Sequence, residues 1–137
     1  MAAMIEEINI GDSASFSKTV TEYDIYSMAG ITGDFNPAHI NTMYASNTPF
    51  AKRIAHGVLA VSLISGVLST KLPGPGMMII SQVCDFKRPV FVGDTITAAV
   101  EVVKKDEEQN RVWLDTSCTN QNGELVLEGK AVMGDHR

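Results

Sequence analysis

The order of apolar and polar positions divides this chain into a helical first half and a strand-rich second half. Residues 13–20 read as a first strand, bounded before by Gly11-Asp12. Thr21 offers an N-cap and Asp24 lies three residues on, a capping box with Asp in place of Glu. Ile25, Met28 and Ala29 then share one helical face, and Gly30 and Gly33 are expected to loosen that helix. Asn36-Pro37 restarts a helix: Asn36 caps the free amides and Pro37 suits the first helical position. His39 becomes the third residue of a short helix ending near Ala45.

The clearest helix starts at His56-Gly57. Val58, Leu59, Val61, Leu63, Ile64, Val67 and Leu68 supply its apolar surface, thinned by Gly57, Ala60, Ser62, Ser65, Gly66 and Ser69. So apolar a helix is expected to be buried nearly all round. Pro73-Gly74-Pro75-Gly76 ends it.

After Gly76 the period changes to two. A strand is expected over Met78–Phe86, stopped by Pro89. In three further runs, Ile96/Ala98/Val100/Val102, Val112/Leu114/Thr116/Cys118 and Leu125/Leu127/Gly129/Ala131/Met133 alternate with more polar neighbours. A charged turn over 104–110 and a tight one over 120–123 link these runs as antiparallel hairpins. The predicted architecture is α+β: one domain over residues 1–137, a curved antiparallel sheet around one buried helix. One helix covers only one face of the sheet, so another side or edge needs a cover, and a second copy of the chain is the economical one.

Composition narrows the partners. At 137 residues, 45% of them hydrophobic, the chain can fill one core. A net charge of −5 with few, scattered basic residues gives no nucleic-acid footprint, although a local basic rim can still hold an anion. Residues 1–11 have neither a basic n-region nor an apolar h-region, and Gly57–Thr70 is too short and too rich in Ser and Gly to span a bilayer. No membrane association is expected, and a cytoplasmic setting follows by elimination. Cys84 and Cys118 could pair, but two reduced thiols are the favoured reading.

The candidate chemistry is concentrated in the stretch GDFNPAHIN, residues 33–41. On one continuous helix, five residues would set Asp34 and His39 roughly 140° apart. The break at Asn36-Pro37 removes that objection and lets them converge. Taken singly, Asp34 is an ordinary turn residue and His39 an ordinary helix-start histidine. Together they are general acid–base equipment, because a neutral imidazole near a helix N-terminus accepts a proton and a carboxylate moves a second or orients water. With His56 they make a conceivable three-ligand metal site, but no tight ligand motif supports one. The Gly57 amide opens the buried helix and can polarise a carbonyl oxygen, or Gly57 only permits close packing. Ser62 and Ser65 are expected to bond their own backbone and not to act as nucleophiles. His136 lies in the terminal tail and receives no role.

The blocks Gly33-Asp34-Phe35-Asn36-Pro37-Ala38-His39, Ile54-Ala55-His56-Gly57-Val58-Leu59 and Phe86-Lys87-Arg88-Pro89-Val90-Phe91-Val92-Gly93-Asp94 closely resemble, in order, the MaoC-like (R)-specific enoyl-CoA hydratases of the single-domain bacterial type. The resemblance implies a hot-dog fold and a homodimer joined sheet edge to edge. It implies reversible syn addition of water to a trans-2-enoyl-CoA, giving the (R)-3-hydroxyacyl-CoA. Carried over by motif, Asp34 and His39 are the catalytic pair, Gly57 holds the thioester oxygen, and Ser65 supports the aspartate. Asn36 joins it as a supporting residue. No metal or redox cofactor is implied, since coenzyme A belongs to the substrate. Lys52, Arg53, Lys87 and Arg88 are the candidate contacts to coenzyme A, with Lys52 or Arg53 expected to matter most. A hot-dog thioesterase and a non-catalytic acyl-CoA-binding subunit are the alternatives.

Overall fold

The computed structural model describes residues 5–135. His136 lies outside them. Each element forms for a local reason and is then placed by packing. After a short 3-10 turn at Ile5–Glu7, β1 runs over Ser13–Thr19. The capping box forms as expected: the Asp24 amide donates to the Thr21 hydroxyl, and the Thr21 amide donates to the Asp24 carboxylate at 2.9 Å. It starts α1, Glu22–Thr32, which buries Ile25 and Ala29. Gly30 does not loosen this helix. It lies within α1, and Gly33 ends it in the left-handed conformation, φ 77°.

Asn36 and Pro37 start α2, Pro37–Ile40, with the Asn36 side chain accepting from the Ala38 amide. The single helix expected to reach Ala45 is in fact two. Asn41 ends α2 and its side chain caps α3, Thr42–Ser46, by accepting from the Tyr44 amide. An extended Asn41 breaks the ladder there, and a short polar side chain satisfies the amides that the break leaves free.

The long helix α4 spans Gly57–Thr70. It buries Leu59, Ala60, Ile64, Val67 and Leu68, but Val58, Ser62, Gly66 and Ser69 lie open. The expectation of burial nearly all round therefore fails in the single chain, where Val58 keeps 47% exposure. The sheet covers only one side of α4.

Four strands follow: β2 Met78–Phe86, β3 Thr95–Asp106, β4 Arg111–Thr119 and β5 Leu125–Gly134. They form one antiparallel sheet with β1, in the order β1-β3-β4-β5-β2. The hairpins β3–β4 and β4–β5 hold the centre, with Val100 opposite Thr116 and Leu114 opposite Ala131. The sheet curves around α4, which touches β1, β2, β3 and β4. Ile64 and Leu68 meet Ile96, Leu114, Leu127 and Met133 in a single core. At Gly129 any side chain would collide with the Val83 carbonyl, so glycine is what lets β5 lie against β2 there. Cys84 and Cys118 are free thiols, and burial pushes Cys118 up to about 12.

Candidate active site

Asp34 follows the Gly33 turn and is held on both sides. Its amide donates to the Thr32 hydroxyl at 3.1 Å, and its Oδ1 accepts from the Asn36 amide at 3.1 Å. That local ring of bonds aims Oδ2 at His39 across the start of α2. The separation from Oδ2 to His39 Nε2 is 3.7 Å, so the two residues do converge as the motif requires.

His39 is buried and Asp34 is half-exposed. His39 Nδ1 lies 2.7 Å from the Ile54 carbonyl. A carbonyl oxygen only accepts, so Nδ1 carries a ring proton, and in the neutral imidazole the lone pair on Nε2 faces Asp34. It is this bond that fixes the tautomer. The Ile54 segment is in turn pinned: its amide donates to Ala38 and the Ala55 amide donates to Val90.

His56 lies under the pair. Its ring stacks on His39 with centroids 3.9 Å apart and planes 27° from parallel. Its Nε2 donates to the Asp34 carbonyl at 2.9 Å. It is the N-cap of α4 but makes no side-chain capping bond. The next residue, Gly57, opens α4, and its amide has no partner among the described residues. A methyl group at Gly57 would sit 3.1 Å from the Phe86 ring, so glycine also keeps this entrance narrow but open.

A cleft of about 400 Å³ lies here, walled by His39, His56, Gly57, Phe86, Lys87 and Arg88, with Phe50, Val90 and Val126 as its apolar side. Asp34 meets His39 without forming part of that wall. A larger hollow of about 870 Å³ lies against the solvent-facing side of the sheet, among Asp85, Glu101, Asp115, Glu128 and Lys130. Four acids against one lysine make it unsuited to an anionic ligand, whereas the smaller cleft has two cations at its wall.

The basic residues divide sharply. Arg53 is bound to the Glu22 carboxylate, which raises its pKa, and to the Tyr26 hydroxyl. Lys52 lies over the Phe91 ring at 4.3 Å. Neither walls the cleft. Lys87 and Arg88 do, through exposed side chains paired with Glu128 at 3.7 Å and Glu124 at 3.1 Å. Ser62 bonds back to the Val58 carbonyl as expected. Ser65, half-buried on α4, makes no hydrogen bond with Asp34 among the described residues.

Asp34, His39 and His56 bring three donor atoms within 4.8 Å of one another, a grouping able to hold a metal ion. One nitrogen of each imidazole already donates to a carbonyl, so each ring offers a single lone pair. The residue pattern offers His56 only as a conceivable metal ligand, and neither its stacking on His39 nor the Ile54 carbonyl is legible there. The adjacency of His56 to the helix-start glycine was the available signal.

Known proteins resemble this chain along most of its length. The MaoC like domain model matches residues 7–121. An (R)-specific enoyl-CoA hydratase of Rhodospirillum rubrum is 48% identical, over 93% of this chain and 88% of its own. A 3-hydroxybutyryl-CoA dehydratase of Methylorubrum extorquens is 41% identical, over 93% of this chain and 81% of its own. The solved (R)-hydratase of Aeromonas caviae superposes with a TM-score of 0.91 at 38% identity, covering 94% of this chain and 98% of that one. The fold is therefore the hot-dog fold.

Proposed function

For a chain that belongs to the MaoC-like domain family, we propose reversible syn hydration of a trans-2-enoyl-CoA to the (R)-3-hydroxyacyl-CoA, carried out by Asp34 and His39. The observation that carries this reading is His39 Nε2, 3.7 Å from Asp34 Oδ2, in a cleft that also takes in the start of α4, whose Gly57 amide has no partner among the described residues. A water about 2.8 Å from both atoms fits beside the line joining them. His39 takes a proton from that water as its oxygen bonds to carbon 3. Negative charge moves to the thioester oxygen, where the Gly57 amide receives it. The proton passes from His39 to Asp34 by way of the newly bound hydroxyl oxygen that lies between them, and Asp34 delivers it to carbon 2 on the same face. One oxygen–carbon bond and one carbon–hydrogen bond replace the π bond and one O–H bond of the water, and both residues return to their first state.

Asn36 supports the pair by holding Asp34 Oδ1 through its amide. We read the chain as one hot-dog domain, which the single sheet and core of the described residues 5–135 support. A coenzyme A thioester substrate supports a cytoplasmic setting in fatty-acid metabolism. No helix among the described residues is long and apolar enough to cross a membrane. A homodimer is supported by the edge strand β2, where Met78, Val83 and Phe86 are exposed and no lysine guards the edge, and by the open side of α4.

Crotonyl-CoA tests the reading. Loss of the conjugated thioester absorbance without release of free thiol is the expected result. Thiol release would identify a thioesterase, and binding with neither change a non-catalytic subunit.

A further inference from the structure

We propose that His56 is a positioning residue that holds both members of the Asp34–His39 pair in register, an inference that rests on the hydratase reading for its kinetic consequences. Three observations meet at this ring. Its Nε2 proton is donated to the backbone carbonyl of Asp34 at 2.9 Å. Its face lies on the His39 ring at 3.9 Å. Its Nδ1 is buried without a hydrogen-bond partner among the described residues, in a residue only 2% exposed.

The third observation bears on why a histidine stands here. As the N-cap of α4 the position calls for a short oxygen-bearing side chain, yet His56 makes no capping bond. A buried nitrogen without a partner weighs against folding. Stability alone therefore favours another residue, and the two contacts toward Asp34 and His39 are what the imidazole provides. Asp34 is half-exposed on a turn and His39 belongs to a four-residue helix, so both gain from a contact anchored in the core. His56 is anchored at the start of α4, whose next turns enter the core. It thus transmits the rigidity of the core to the pair: one contact limits movement of the Asp34 backbone, the other keeps the His39 ring flat so that Nδ1 stays on the Ile54 carbonyl.

The two contacts separate by substitution. His56→Phe keeps an aromatic face and removes the donor. His56→Gln keeps a donor at comparable reach and removes the face. With crotonyl-CoA, His56→Phe is expected to lower kcat about tenfold to a hundredfold, the scale of a displaced reacting group, and to leave KM within about twofold. Its Tm should stay within about 3 °C of the parent, since the unpartnered nitrogen goes with the donor. His56→Gln should recover part of the lost kcat. Parental kcat in His56→Phe, or a loss confined to KM, overturns the proposal. So does a fall in kcat in both variants matched by collapse of Tm.

A readout that needs no turnover separates this inference from the hydratase reading. The imidazole nitrogen shifts of His39 in the ¹⁵N-labelled protein should report one tautomer, with the proton on Nδ1, and a mixture of tautomers in His56→Ala. An unchanged single tautomer in His56→Ala overturns the positioning role even if the parent hydrates crotonyl-CoA. A mixture in a parent-like fold supports it even if crotonyl-CoA proves not to be a substrate.

Discussion

Nε2 of His39 faces Oδ2 of Asp34 across 3.7 Å, although the two residues belong to different backbone regimes: a turn closed by Gly33 and the first turn of α2. That gap is too long for a direct hydrogen bond and right for a shared water. Asp34→Asn and His39→Ala should each lower hydration of crotonyl-CoA by at least about a hundredfold, the low end for positioned acid–base groups. Circular dichroism of both variants should match the parent, because the apolar core that closes the sheet on α4 keeps all its side chains. Near-parental turnover by either purified variant would remove the pair from the mechanism.

The basic rim makes a second prediction. Lys87 and Arg88 wall the cleft through exposed side chains, and their ion pairs with Glu128 and Glu124 are of the weak surface kind that a phosphate can displace. Lys87→Ala/Arg88→Ala should raise KM for crotonyl-CoA about three- to tenfold, which is about 1 kcal/mol, with kcat little changed. Crotonyl-pantetheine, which lacks the nucleotide, should barely sense the change. Lys52→Ala/Arg53→Ala should have the smaller effect on KM, because Arg53 is spent on Glu22 and Tyr26. The reverse ranking of the two double variants would put the nucleotide on the other side of the helix start.

Assembly follows from what the single chain leaves open. With Met78, Val83 and Phe86 exposed along β2 and Val58 exposed on α4, sedimentation equilibrium at micromolar concentration should report twice the chain mass of 14.8 kDa. A monomer with full activity would contradict the homodimer.

The start of α1 carries a pH signature. Burial by itself would raise the Asp24 carboxyl, but the Thr21 amide and hydroxyl and Lys18 together bring it below its ordinary 3.8. A carboxyl depressed in the folded state stabilises fully above its unfolded pKa, and that contribution fades as pH falls through the folded value. Asp24→Ala should therefore lower stability by about 1 kcal/mol at pH 7, the scale of a lost cap. The gap between parent and variant should narrow once the pH drops below 3.8. Urea midpoints at neutral pH and at about pH 3 measure it, and a gap independent of pH would show that Asp24 acts without its charge.

Local chemistry made part of this protein legible from residues alone. The Thr21–Asp24 capping box, the Asn36-Pro37 helix start and the period-two runs of β3, β4 and β5 all form as read. Each depends on partners within four residues or on the alternation of a single strand. The family blocks likewise pointed to the hot-dog fold and to the Asp34/His39 stretch. Tertiary structure decided the rest. No local pattern states that β1 and β2 lie at opposite edges of the sheet, because that order is set by which apolar faces close around α4. Arg53 looked like a free cation beside the helix start, until folding brought Glu22 from 31 residues away. His56 stands in the sequence as a helix opener and a conceivable metal ligand, and only packing sets its ring on His39 and its Nε2 on the Asp34 carbonyl. Caps and periods are enforced by short-range sterics and hydrogen bonds, whereas ion pairs and ring stacks between distant segments exist only once the core has fixed where those segments meet.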